Sequence, residues 1–417
     1  MTRQMKTSGV EWIGDIPEKW DVCKVINCLL NIGSGTTPQG LEYYENECIP
    51  WLNTGDLNDA YIERTEKSVS EKALSDYSVL KRFDKGSVVV AMYGATVGKL
   101  GIVSFPLVTN QACCVMTPNE KLYNMFLFYL FMAGKTHLIS LSLGSGQPNI
   151  NQNTVKTFDI PFPSFSEQKE IADYLDAKCA KIDVFIAKQK TVVEKLKEYK
   201  QSVITEAVTK GLNPAVPMKS SGVEWIGDIP EKWQILRLKN TVEHINEKTE
   251  SIAQNYIGLE NIESWTGHYI NQSSGIPEGV SNIFRKNDIL FSKLRPYLAK
   301  CLMADFSGIC SSELLVLRNF KGYSRFLFHL LLSHGFINIV DSSTYGSKMP
   351  RANYSFIGNV EIPYPPLSEQ KAIADYLDAK CAKIDAFIAK KQVVIEKLTE
   401  YKKSLIYECV TGKREIV

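Results

Sequence analysis

The chain has 417 residues, enough for two or more domains with separate cores, and its 44% hydrophobic and 23% charged residues are ordinary for a folded protein. A net charge of +2 excludes nucleic-acid affinity through bulk charge, so any such affinity must come from local patches or from partners. The opening MTRQMKTSGV lacks the apolar core of a signal peptide, and the most apolar runs, 122–133 and 326–332, fall short of the about 20 residues a bilayer span needs; a soluble, cytoplasmic protein with no membrane contact is expected.

Along the chain, the first marked stretch is SGVEWIGDIPEKW at 8–20, which returns letter for letter at 221–233. An insert follows, residues 21–161, whose β-branched run at 87–92 reads as a strand and whose Gly, Pro, Asn and Asp break it into mixed strand and short helix. After the lead-in IPFPSFSEQK, residues 166–210 hold no Gly or Pro, with Ser166 as the expected N-cap and Gly211 and Pro214 as the stop. The second insert, 234–363, carries strand-like runs at 288–291 and 314–317 and ends in the lead-in IPYPPLSEQK. The helix that follows repeats the first at 28 of 35 positions, 166–200 against 368–402. Each half therefore reads as phrase, insert, lead-in and helix.

The inserts share a framework as well. GSVVVAMYGATVGK at 86–99 aligns with NDILFSKLRPYLAK at 287–300, FLFYL at 126–130 with FLFHL at 326–330, and GSGQPNIN at 144–151 with GSKMPRAN at 346–353. Apolar positions recur under different polar ones, so one fold is used twice with two surfaces.

Along the helices, Leu175, Ile182, Leu196 and Val203 fall on one heptad position, and Cys179, Ile186 and Val193 on the other; Leu377, Ile384, Leu398 and Leu405, with Cys381, Ile388 and Ile395, repeat this. A seam held over four heptads asks for a helical partner, and the other copy supplies one, antiparallel about a pseudo-two-fold axis. Gln189, Lys391, Lys200 and Lys402 fall on the seam as register devices or as residues at an exposed end.

This order resembles the specificity subunits of type I restriction-modification enzymes, over essentially the whole chain. The resemblance rests on WIGDIPEKW, the IPFPSFSEQ and IPYPPLSEQ lead-ins, and the long helix after each. It implies an α+β fold: two pseudo-two-fold-related globular α/β target-recognition domains separated by two long antiparallel helices forming a coiled coil. The expected divisions are a first recognition domain at 1–161, helix at 162–211, linker at 212–219, second recognition domain at 220–363 and helix at 364–413. The coiled-coil interface then comprises Leu175, Ile182, Ile186, Val193, Leu196, Leu377, Ile384, Ile388, Ile395 and Leu398. The family's partners are double-stranded DNA, two adenine methyltransferase (M) subunits and, in the full nuclease, two restriction-translocase (R) subunits. Its specificity subunit has no catalytic centre; S-adenosylmethionine, ATP and Mg belong to those partners.

The residues offer little competing chemistry. GATVGK at 94–99 has three residues between its glycines where a phosphate loop has four, and continues with Leu100 instead of Ser or Thr. Asp159 with Glu167 and Lys169 mimics a nuclease constellation, but the acid lies at a helix start, where acids are favoured. The ten cysteines hold no C-x-x-C pair and the five histidines do not cluster with acids, which predicts free thiols and no metal site.

DNA reading needs side chains that pair with base edges and cations for phosphates. The second insert supplies Arg285, Lys286, Lys293, Arg295, Tyr297 and Lys300, then Lys348, Arg351 and Asn353; solvated surface charge is the other reading of these residues. Aligned positions in the first insert are Tyr93, Thr96 and Lys99, with Asn149, Asn151 and Gln152 in the later loop. Because 21–161 holds 11 basic against 13 acidic residues, it is expected to bind DNA poorly without partners. A protein–protein adaptor, its helices the working part and its inserts binding other proteins, is the alternative function.

Overall fold

The computed structural model describes residues 3–45, 48–142, 149–250, 255–272 and 279–416; residues 144–148 of the GSGQPNIN motif lie outside the described residues. Two compact units are present, one made of Met1–Lys188 with Val394–Val417, the other of Gln189–Val393. Each contains one insert and half of each long helix. Those helices run unbroken over Phe165–Lys210 and Leu367–Val410, roughly 65–70 Å each at about 1.5 Å per residue.

In the first unit, strands Leu29–Gly33, Cys113–Pro118, Val88–Ala91, Leu100–Val103 and Ala60–Ile62 lie in that order in one sheet, antiparallel except for the last pair. The central strand VVVA is buried on both faces. Because alternate side chains point to opposite faces, Val88 and Val90 join the core packed on helix Asn124–Ser140, while Val89 and Ala91 join a second core with Leu52, Leu57 and Phe83.

The second unit repeats the plan. Strands Glu243–Ile245, Leu314–Arg318, Ile289–Ser292 and Cys301–Met303 form an antiparallel sheet. Ile289 and Phe291 face the core with helix Ser324–Leu331, and Leu290 faces a smaller core under a second four-stranded sheet. The expected α+β class and the three strand assignments hold.

Within each unit the two helix halves run antiparallel. In the first, Leu175 and Cys179 share a core with Leu405, Ile406 and Cys409, and farther along Asp183 accepts from Lys402 Nζ at 2.6 and 2.7 Å. In the second, Val203, Ile204 and Ala207 share a core with Ile373, Leu377 and Cys381, and Lys200 Nζ donates to Asp385 at 2.7 and 2.8 Å. Both seam lysines thus have a carboxylate on the opposing helix. Of the predicted interface residues, Leu175, Val193, Leu377 and Ile384 are buried, and Ile182, Ile186, Leu196, Ile388, Ile395 and Leu398 are half-buried.

The lead-in and the repeated phrase lock together. Trp20 and Trp233 are buried, their indole N–H groups donating to Glu167 at 3.3 Å and to Glu369 at 2.8 Å. Beside each glutamate, Gln168 and Gln370 accept from the backbone N–H of Tyr123 and Tyr323, both at 2.8 Å, and return a donor to a lead-in proline carbonyl. The helix ends also meet the phrase: Gly412 (φ +72°) lies so close to Pro17 and Trp20 that any Cβ there would clash. Gly211 (φ +77°) sits in the same way beside Trp233, with space only marginally larger. These contacts account for the shared proline and tryptophan of the two phrases, since both grip equivalent helix residues.

One expectation fails. Ser166 lies inside the helix and its hydroxyl meets Glu170; the cap is Ser164, whose oxygen accepts from Glu167 N–H while its own hydroxyl donates to Glu167. Ser164 and Glu167 have the S-x-x-E spacing of a helix start, which places it two residues earlier.

Candidate nucleic-acid interface

Two loops meet at the same place in each unit, held by the same backbone bonds. In the second unit, Lys293 follows strand Ile289–Ser292; its N–H donates to Glu313 C=O at 3.0 Å and its C=O accepts from Ala352 N–H at 2.9 Å. In the first, Met92 follows Val88–Ala91; its N–H donates to Ala112 C=O at 2.8 Å and its C=O accepts from Ile150 N–H at 2.9 Å. Adjoining bridges join Leu294 to Arg351 and Tyr93 to Asn149. Equivalent backbone positions therefore carry Met92, Ala112 and Asn149 in one unit, and Lys293, Glu313 and Arg351 in the other.

These side chains line a cleft of about 300 Å³ in the second unit, with Lys248, Asn282 and Tyr345 among its other walls. Arg351 is held in a bidentate pair with Glu313 at 3.0–3.2 Å, a fixed geometry that raises its hold on the proton and orients its remaining donors. Burial first, then the Lys293 ammonium, lower the pKa of His244, which stacks on Tyr354 at 4.0 Å. Asn353 spends its side-chain oxygen capping helix Tyr354–Ile357. Arg295 takes a left-handed conformation (φ +49°), its N–H bonded to Pro350 C=O at 2.7 Å and its guanidinium reaching Lys348 C=O at 3.4 Å. Its buried Nε has no partner among the described residues.

The predicted cluster is thus divided. Lys293, Arg295, Lys348, Arg351 and Asn353 come together, with exposed Tyr297 one turn on. Arg285 and Lys286 instead occupy the turn at the opposite end of the Ile289–Ser292 strand, where Arg285 lies 4.0 Å from Glu247, roughly 20 Å away at about 3.3 Å per residue. Lys300 points elsewhere, donating to Leu259 C=O at 2.6 Å, and burial lowers its pKa. In the first unit, Tyr93 and Asn149 meet and are exposed; Thr96 and Lys99 lie on the turn beyond Tyr93. Asn151 caps helix Gln152–Lys156 and Gln152 donates to Ile32 C=O at 3.1 Å.

Sequence reasoning missed Glu313, His244, Lys248 and Asn282. They lie on separate strands and turns, and only the register Lys248↔Asn282 and the Arg351–Glu313 pair bring them into one cleft. Position 313 was the one available signal: a carboxylate where the first copy has Ala112.

A family model described as Type I restriction modification DNA specificity domain matches residues 17–195 and again 230–397. The chain belongs to the type I restriction-modification specificity subunits. Two of its relatives are the MjaVIII specificity subunit of Methanocaldococcus jannaschii, 25% identical over 95% of this chain and 93% of that one, and the EcoDI specificity subunit of Escherichia coli, 26% identical over 69% of each. Among solved structures, a chain from work on complex assembly and conformational transition of the type I R-M system aligns with TM-score 0.72 at 16% identity, over 96% of this specificity subunit and 99% of that chain. The HsdS subunit of Thermoanaerobacter tengcongensis aligns with TM-score 0.52 at 17% identity, over 96% and 98%. Among the described residues of this specificity subunit, no helix is long and apolar enough to cross a membrane.

Proposed function

We propose that this specificity subunit reads an asymmetric, bipartite DNA site, one half with each insert, and performs no catalysis itself. The carrying observation is the pair of loop junctions with identical backbone bonds and unlike side chains: Met92, Ala112 and Asn149 against Lys293, Glu313 and Arg351. A framework that fixes position while varying donors and acceptors is what direct readout of two different half-sites requires. Arg351 and Arg295 suit guanine, and Asn149 suits adenine.

The long helices supply the second part of the reading. Phe185, Val192 and Tyr199 are exposed at seven-residue spacing on one, and Phe387, Val394 and Tyr401 on the other. Such a stripe lies on one helix face and would dock two methyltransferase subunits, with two restriction subunits joining them in the nuclease. The residues that mimicked catalytic motifs have other engagements. Gly94–Thr96 is a short turn leading back into strand Leu100–Val103, Asp159 pairs with Lys24 at 3.4 Å, and Glu167 binds Trp20 and Arg3. In this reading S-adenosylmethionine, ATP and Mg belong to the partner subunits.

The test is selection from random-sequence DNA by this chain purified with its methyltransferase partner, alongside methylome sequencing of a host with and without the gene. A bipartite enriched motif, methylated only when the gene is present, supports the reading. Absence of enrichment at every salt concentration would leave the adaptor alternative.

A further inference from the structure

Eight of the ten cysteines have no second thiol in hydrogen-bond contact among the described residues; Cys23, half-buried, and Cys28, buried, have each other. Among the described residues, Cys23 and Cys28 place their Sγ atoms 3.2 Å apart, whereas Cys113, Cys114, Cys179, Cys301, Cys310, Cys381 and Cys409 are buried singly and Cys48 is exposed alone. Cys23 lies on strand Asp21–Lys24, and the short turn Val25–Cys28 folds the chain back to bring the two sulfurs together. The pair sits at the foot of the first insert, beside the ribbon that strand Asp21–Lys24 makes with Asp159–Phe162. The second copy has Leu236 and Thr241 at the equivalent positions, so the pair is no requirement of the fold.

We propose that Cys23 and Cys28 form a site of reversible oxidation, closing to an intramolecular disulfide when the protein meets a hydroperoxide. Either sulfur can donate in the thiol hydrogen bond; that bond, together with Lys121, lowers the Cys28 pKa against the effect of burial. The same bond, reinforced by burial and by Asp159 and Asp21, pushes Cys23 far up. The remaining buried thiols shift upward through burial, Cys179, Cys381 and Cys409 to about 11 and Cys114 and Cys310 to about 12, and are correspondingly unreactive.

In the first step the Cys28 thiolate attacks the peroxide, an S–O bond forms as the O–O bond breaks, and the leaving oxygen takes a proton to become alcohol or water. Cys28 is then a sulfenic acid. In the second step the Cys23 sulfur displaces that oxygen, the S–S bond forms, and hydroxide leaves with the Cys23 proton as water. Two thiols and one hydroperoxide thus give one disulfide, one alcohol or water, and one further water. A dithiol reductant reverses the change.

The test uses the full chain in a Cys48→Ser background, treated with hydrogen peroxide and digested with trypsin without reduction. Lys24 lies between the two cysteines, so cleavage there leaves two peptides joined only through the disulfide. The expected result is a joined pair, lighter than its two free peptides by two hydrogens, that separates on reduction and is lost in Cys28→Ser. The Cys23→Leu, Cys28→Thr double variant, which borrows the second copy's residues, should keep the melting temperature of the parent and lose the joined peptide. Recovery of both thiols unmodified, or of Cys28 as sulfinic acid with no joined peptide, would overturn the proposal. In the chain that retains Cys48, oxidation of Cys48 before the pair would overturn it equally.

Discussion

Arg295 shows how much a single residue can carry here. Its left-handed backbone and its bond to Pro350 fix the loop, so truncating the side chain leaves the main-chain hydrogen bond in place. Arg295→Ala should relax discrimination at one position of one half-site by about 1–3 kcal/mol, measured by binding to a panel of single-base variants. A uniform loss across the panel would identify a phosphate contact instead. A second residue-scale prediction concerns His329. Its Nε2 lies 2.8 Å from Asp378, which also takes two bonds from Arg325, while its buried Nδ1 is unpartnered among the described residues. Burial outweighs Asp378 and lowers the His329 pKa, with Arg325 and Lys200 adding to the same direction. The folded state therefore holds the ring neutral where the unfolded chain, near 6.5, already binds a proton. Stability should be full above about 6.5 and fall as pH drops below it. The first unit places Tyr129 at the equivalent position, donating to Asp176 at 2.6 Å. His329→Tyr should flatten the slope of melting temperature between about pH 6.5 and 5; an unchanged slope would assign the effect to other groups.

At the scale of elements, the heptad pattern fixes which faces of the helices are apolar, but it is symmetrical to sliding by whole heptads. The lysine–aspartate pairs remove that freedom. Lys200 is 6% exposed, and sliding would leave its ammonium buried without Asp385. Lys200→Met should lower the unfolding free energy of the second unit by about 1–3 kcal/mol, less than a fully buried pair because Asp385 keeps some solvent. Adding Asp385→Leu should recover part of this loss in thermal melts, whereas an additive loss would mean the two residues act separately. The same scale shows why the start of the first long helix was read two residues late. A serine inside the run looked like a cap, while the true cap, Ser164, sat among lead-in residues that carry no helical periodicity.

For the whole molecule, the proposal makes the two helices a spacer between unlike readers. Lengthening both by one turn, about 5.4 Å, should widen the preferred gap by one or two base pairs and leave both half-sites unchanged; methylome sequencing reads both at once. A changed half-site, or an unchanged gap, would break the link between helix length and site geometry.

Sequence alone determined the duplicated plan, the strand and helix classes, and the family, because repeats and periodicity are properties of the chain's order. The identical phrases and lead-ins were legible for the same reason, although the indole–glutamate and glutamine clamps that explain them were not. Only the tertiary structure decided the composition of the cleft. Five cations lying between 285 and 300 on paper were parted by the strand and turn they flank, and Glu313, Lys248 and Asn282 arrived from distant positions. A β-strand carries neighbours in sequence apart by about 3.3 Å per residue, and sheet register brings together residues that no local pattern connects.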